Sequence, residues 1–582
     1  MISTLDITII AVYFILSVSI ALYFSKRAGR SREDFFLSGR KLSWWVAGTT
    51  MVATTFGADT PLSVTELVAA NGIAGNWLWW NMVAGNVLTV FFFARLWRRT
   101  EVLTDVEFIE LRYSGKPAAF LRGFKAVYLG LFINVIIMGW VNLALVQILK
   151  TIFNIPDDQV LFYIFGAMAI VGIYSAISGL WGVAFTDIFQ FVIAMVGCIV
   201  LAVVILDIPQ IGGVAGLKNA LPEHVFNFFP DVGSMPTAAA AGVLGLSFSA
   251  FMAHIVVQWW ASWYPGSEPG GGGYVAQRMM SSKNEKHAQL AALWFTIAHY
   301  AVRPWPWIIV ALASLVLYPD LAADDKKAGF VLAMRDYLPS GLLGLLAAAF
   351  LAAYMSTISS HLNWGGSYVV NDLYKRFIKK DASEKHYVLI SRIATILLVI
   401  ASGIAAMFMS SISGAWAFLI ECGAGLGLVL IIRWFWWRVN AWSEISAMIA
   451  PFIGVIASRT LFDLHFPESM FFIVAFTTVV WIVVTFLTKP DKVETLHAFC
   501  RKVRPGGPGW RKISEELGIP EDKPSIWIRL LQWVSGVVLV YCSLFSVGKL
   551  ILGEYMIGFI LAACALILFV FIALSLKDKT YN

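Results

Sequence analysis

Long apolar runs alternate with short polar stretches along almost the whole chain. About 20 consecutive apolar residues are enough for a helix to cross the hydrocarbon core of a bilayer. Such runs occupy residues 5–25, 44–70, 77–97, 126–153, 160–179, 183–206, 239–264, 288–318, 342–374, 387–409, 414–434, 445–462, 470–487, 526–552 and 555–576. The pattern predicts an all-α polytopic membrane protein of about 15 transmembrane helices. The first run has no basic segment before it and is followed by Lys26, Arg27, Arg30 and Arg32, so it reads as a retained helix and not a cleaved leader. The longest polar stretch, 488–525, holds the turn-rich segment Arg504-Pro505-Gly506-Gly507-Pro508-Gly509-Trp510 and no nucleotide-binding glycine motif.

Charge sharpens this picture. Of 582 residues, 59% are hydrophobic and 14% charged, where a soluble domain carries roughly 25% charged residues. That excludes a soluble multidomain enzyme and a disordered scaffold. With the N-terminus threaded outside, the loops 26–41, 95–125, 277–286, 375–392, 433–438, 489–529 and 577–579 fall on one side and hold 35 of the 43 Lys and Arg. Basic loops stay cytoplasmic, so the expected topology is N-out and C-in, in the plasma membrane. The net charge of +7 then belongs to contact with the lipid bilayer, and no nucleic acid partner is implied. Five scattered cysteines without a CxxC pair imply neither a disulfide framework nor a zinc site. No ATPase module or subunit is implied, so uphill transport would draw on an ion gradient. A membrane-embedded enzyme would need a nucleophile–base or metal constellation, and none has usable spacing.

Two runs are interrupted. The second contains Thr54-Thr55-Phe56-Gly57-Ala58-Asp59-Thr60-Pro61 in mid-span, where Pro61 removes a backbone donor and disfavours helix at Thr60. The seventh ends in Trp263-Tyr264-Pro265-Gly266-Ser267-Glu268-Pro269, followed by glycine from 270 to 273. Transporters place their sites where membrane helices break. With the first run set aside, the breaks open two successive sets of five helices, which suggests a five-plus-five inverted repeat; a simple end-of-helix loop at the second break is the alternative. Asp59, Asp187, Arg303 and Glu421 are charges within spans and so candidate functional groups, although Arg303 and Glu421 also suit an internal ion pair and a local cap. His254, His299 and His361 read as packing residues. In the ninth run Ser356, Ser359 and Ser360 share a helix face by i, i+3, i+4 spacing, with Thr357 about 100° round. Hard oxygen donors of this kind suit sodium; polar helix packing explains the same pattern, and the residues alone leave both readings open.

Several motifs occur in order: Phe36-Leu37-Ser38-Gly39-Arg40 before the first break, Tyr174-Ser175-Ala176-Ile177-Ser178-Gly179-Leu180 followed by Thr186-Asp187 and Gln190, Gln277-Arg278 after the second break, and Met355-Ser356-Thr357-Ile358-Ser359 leading to Asn363 and Asp372-Leu373-Tyr374-Lys375-Arg376. Together they resemble the sodium:solute symporter family, which includes sodium/glucose, sodium/proline and sodium/sialic acid transporters, over roughly residues 35–442. The resemblance implies a LeuT-type core of ten helices, with one helix before it and four after. It implies a sodium ion held by the carbonyls of Ala53, Phe56 and Ala353 and the hydroxyls of Ser356 and Thr357. A second sodium site, present in some members, maps to Asp187, Ser356, Ser359 and Ser360. The solute site maps to Gly57, Asp59, Thr60 and Trp79, with Trp263 and Tyr264 at the second break. Trp79 stands where sugar and sialic acid transporters place Glu or Gln. The segment 265–273 departs from the family's Tyr-Trp-Gly-x-Asn-Gln pattern.

The expected organisation is a peripheral first helix with its basic loop (1–43), a first repeat (44–206), an extracellular loop (207–238), a second repeat (239–438), peripheral helices (439–488), a cytoplasmic linker (489–524) and a C-terminal helix pair (525–582). The expected function is sodium-coupled secondary symport of a small polar organic solute by alternating access, with a sugar or polyol favoured. The alternatives are a symporter of an amino acid or organic acid, and a non-transporting sensor or channel on the same fold.

Overall fold

The computed structural model describes residues 2–230, 248–409, 416, 419–420, 423–520 and 524–577. Among them regular structure is helical, with two isolated β-bridges, Leu42 to Ser282 and Ser262 to Ala424. Among the described residues eleven helices are long and apolar enough to cross a membrane by length and composition, from Thr4–Lys26 to Tyr555–Lys577. They overlie eleven of the apolar runs. The other four runs are not among these eleven. The run at 44–70 is divided into Trp44–Thr54 and Thr60–Asn71. The run at 160–179 opens the helix Asp157–Asp207, whose backbone leaves helical geometry at Gly179 with φ 52° and ψ −158°. The runs at 239–264 and 414–434 extend over residues outside those described, Glu421 among them.

Gly179 illustrates how a single residue sets the packing. Its positive φ suits a residue without Cβ, and a Cβ there would stand 2.7 Å from the carbonyl oxygen of Phe35. The two runs that it joins meet with no intervening loop.

Burial sorts the helices into an inner and an outer set. The window in Leu342–Ile378 is 89% buried, whereas that in Tyr555–Lys577 is 17% buried. The buried helix carries the polar ladder and a stretch of alanines, Ala347 to Ala349 and Ala352 to Ala353, all covered. Small residues let neighbouring backbones approach closely without a hydrophobic driving force. This helix packs against Asp157–Asp207, Asn134–Phe153 and the first helix, Thr4–Ala28. The first helix is pinned by Asp6, which is fully buried and accepts from Gly341 N and Gly344 N, both at 2.7 Å, at the N-terminus of the long helix. A carboxylate is favoured there by the orphan backbone donors and the helix dipole.

The basic loops are not all free surface. Arg122 bonds Asp372 and Glu110 at 2.7 Å each. Lys125 and Arg433 both pair with the buried Glu444, and Arg376 pairs with Glu110 at 2.8 Å. Part of the positive charge at this end of the bundle is therefore neutralised inside the protein and ties helices together.

Candidate functional site

The first break follows from its sequence. Pro61 sits in the first turn of Thr60–Asn71 with Asp59 at the N-cap position, a place where the missing N–H costs nothing. Between the half-helices the chain turns through Thr60 N to Gly57 O at 3.2 Å. Gly57 leaves room for its neighbour: a Cβ on it would meet Oδ1 of Asp59, the tip of that side chain. The two half-helices thus present a negative dipole end (residues 51–54) and a positive one (residues 60–63) to the same gap. At the second break the helix ends with Trp259–Ala261 and resumes at Gly273–Ser281. Gly266, Gly270, Gly271 and Gly273 all have positive φ there.

Against the C-terminal end of the first half-helix lies the hydroxyl ladder of Leu342–Ser367. Thr357 Oγ1 donates toward the carbonyls of Thr54 at 3.0 Å and Ala353 at 3.1 Å. Thr357 thereby joins the long helix to the end of the first half-helix, where Phe56 N is bonded to Ala53 O at 3.1 Å; Ala353 lies one turn before Thr357 and Ser356 beside it. The fully buried Asp187 accepts from Ser356 Oγ at 2.7 Å and from Thr50 Oγ1. The other two ladder hydroxyls turn elsewhere. Ser359 Oγ bonds Ser356 O at 3.0 Å. Ser360 Oγ meets Thr54 Oγ1 at 2.7 Å and accepts from Arg278 Nη2 at 2.6 Å. Arg278 also bonds Gln277 Oε1 at 2.7 Å. Thr50, Thr54 and Arg278 complete this cluster; Thr54 and Arg278 stood in quoted motifs without a site role, and Thr50 was not named. The i, i+4 spacing of Thr50 and Thr54 was the available signal, since it puts both hydroxyls on one helix face.

A cavity opens beside this cluster. Gly57, Asp59, Thr60, Trp79 and Tyr264 line it, as does Thr357. Trp263 does not; it borders a separate, smaller pocket with Asp105 and Glu268, because its backbone N–H is bonded to Gly423 O at 3.1 Å and its side chain faces away. Trp79 stacks on Tyr300 with centroids 5.6 Å apart and donates Nε1 to Asn76 Oδ1 at 3.0 Å. Arg303 reaches the cavity while donating to Val52 O at 3.2 Å and Thr55 Oγ1 at 3.0 Å. His299 and His361 also line it, the first 3.0 Å from Thr55 Oγ1 and the second 2.6 Å from Asn134 Oδ1. His254 lies away from it, bonded to Gln258.

The profile of the sodium:solute symporter family matches residues 35–454. The chain belongs to this family. Relatives include the sodium/glucose cotransporter of Vibrio parahaemolyticus, 24% identical over 513 residues that cover 82% of this chain and 89% of the relative. Another is sodium/myo-inositol cotransporter 2 of Oryctolagus cuniculus, 22% identical over 495 residues, covering 78% and 70%. A solved structure of a sodium-coupled sialic acid symporter, substrate-bound and outward-open, aligns with a TM-score of 0.67 at 20% identity over 84% of this chain and 99% of that one; the likeness is one of fold. Family and fold place this symporter-family chain among multi-pass membrane transporters and not among enzymes.

Proposed function

We propose that the chain is a sodium-coupled symporter that imports a small polar organic solute by alternating access, with a sugar or polyol favoured. The observation that carries this reading is the position of Thr357. Its hydroxyl touches the carbonyl end of the broken helix and also lines the solute cavity, so an ion at the junction and a solute in the cavity share a wall. Ala53, Phe56, Ala353, Ser356 and Thr357 are the proposed sodium ligands, all hard oxygen donors that suit sodium. Asp187 and Ser356, with Ser359 and Ser360, form the proposed second sodium site. In the reading, sodium draws the two half-helices and the long helix together and stabilises the solute site, and rocking of the repeats 44–206 and 239–438 then exposes both to the other side. The proposed orientation is N-out in the plasma membrane.

The cavity suits a hydroxylated solute. Trp79 and Tyr300 offer flat faces, while Asp59 and the hydroxyls of Thr60 and Ser267 offer hydrogen bonds. The sugar and polyol transporters among the relatives support the same choice. Arg303 in the cavity wall favours the second reading, an amino acid or organic acid. Thermal-shift screening of a solute library with and without sodium separates them, because a bound ligand stabilises the folded state. Sodium-driven accumulation of the hit in proteoliposomes completes the test. Stabilisation by solutes that is indifferent to sodium, or uptake without a sodium gradient, would sink the proposal.

A further inference from the structure

The loop of the second break holds one acid, Glu268. It is 4% exposed, and neither Oε1 nor Oε2 has a hydrogen-bond partner. The backbone N–H groups of Gly266 and of Glu268 itself lie nearby but outside bonding geometry. Gly273, at φ 54°, makes room for the carboxylate, since a Cβ there would collide with Oε1. The side chain borders a small pocket, apart from the solute cavity and at the end of the bundle where the basic loops gather.

The charges facing this pocket are accounted for elsewhere. Asp105 also lines it, and its two oxygens are taken by Tyr368 Oη and by Gly273 N, the latter at 2.9 Å. Lys125 and Arg433 line it too, yet both bond Glu444, which in addition accepts from Tyr113 Oη at 2.6 Å. Tyr274 is the remaining titratable neighbour. Glu268 therefore faces a second carboxylate and two cations already engaged. A buried carboxylate without hydrogen bonds is strongly disfavoured in its ionised form, and a like charge beside it adds to that. A metal ion would find few free oxygens here and two cations in the same wall. A proton meets the requirement with one oxygen.

We propose that Glu268 is a proton-binding site, neutral while the loop is packed as described and ionised when the loop admits water. Because the loop joins the two half-helices of the second break, proton release is tied to their movement. This goes beyond sodium coupling and stands on the pocket alone.

The test uses the full chain in lipid nanodiscs and an infrared difference spectrum on stepping the pH upward. A carboxylic C=O band should be lost on the alkaline step, should shift in D2O, and should be missing from Glu268→Gln. Labelling the unmutated protein with 13C-glutamate should move that band, and 13C-aspartate should not, which keeps the test intact if the variant fails to fold. A carboxyl neutral in the fold and ionised when unfolded makes stability fall as pH rises; Glu268→Gln should flatten that fall without lowering the melting temperature at neutral pH. A Glu268→Gln protein less stable at neutral pH with its pH slope intact would point to an ion pair with Lys125 or Arg433 and overturn the proposal. So would a spectrum without any glutamate-dependent band. Neither readout requires sodium or a transported solute, so failure here is distinct from failure of the symport reading.

Discussion

Thr357→Val isolates the junction between the broken helix and the long helix. Valine keeps the β-branched shape and removes only the hydroxyl, whose hydrogen is shared between Thr54 O at 3.0 Å and Ala353 O at 3.1 Å. One such bond is worth about 1 kcal/mol net, so stability in choline chloride should fall by about that amount. Sodium should expose a second effect. Ligand at 100-fold over Kd stabilises a protein by about 2.7 kcal/mol. Loss of one ligand that weakens binding tenfold, about 1.4 kcal/mol, would leave roughly 1.4 kcal/mol of that stabilisation at the same concentration. Thermal unfolding over a sodium series should therefore show the half-saturating sodium concentration about tenfold higher in Thr357→Val, with recovery in Thr357→Ser. Ser402→Ala serves as the control, since its buried hydroxyl only bonds Val399 O on its own helix. An unchanged sodium midpoint in Thr357→Val, with the basal loss still present, would refute the assignment and leave Thr357 a packing residue.

Asp187→Asn should weaken sodium affinity or lower the sodium-to-solute stoichiometry, because Asp187 is the buried carboxyl to which Thr50 and Ser356 donate; flux coupling measurements that find both unchanged would make Asp187 a purely structural anchor. Arg303→Gln removes bonds to Val52 O and Thr55 Oγ1 in the cavity wall, so solute affinity should drop by about tenfold or more while sodium-dependent stabilisation persists. Equal loss of both in the same titrations would deny Arg303 a separate role. Burial pushes the Glu110 carboxyl up, but its hydrogen bonds from Arg376 and Arg122 outweigh that and hold it below the usual carboxylate range. A depressed acid stabilises the fold above its unfolded pKa and loses that contribution as pH falls through the folded value. Unfolding curves should therefore weaken toward acid, and Glu110→Gln should remove this component; an unchanged acid limb would contradict the pairing.

How far the site could be read ahead varied by residue. The first break was legible because Gly57, Asp59 and Pro61 are local backbone instructions, and the half-helices end where they predict. Gly57, Asp59, Thr60, Trp79 and Tyr264 lie around one cavity. Trp263, adjacent to Tyr264, does not, because at a non-helical turn successive side chains diverge and a one-residue step changes which pocket is faced. The ladder Ser356, Ser359 and Ser360 was visible as a helix face, but Ser360 is bound to Thr54 and Arg278 while Ser356 meets Asp187. Spacing names a face and not its occupant.

By itself the sequence determined what local chemistry can determine. Apolar length marks the helices, prolines and glycines mark the breaks, and the distribution of Lys and Arg marks one end of the bundle. Tertiary structure decided which charges are free. Lys125 and Arg433, counted among the basic loops, are spent on Glu444, and Glu268, an ordinary acid in a glycine-rich loop, is left buried without a partner. Hydropathy depends on neighbours along the chain, whereas compensation of a buried charge depends on neighbours in space, several helices away, and only the packed bundle brings those together.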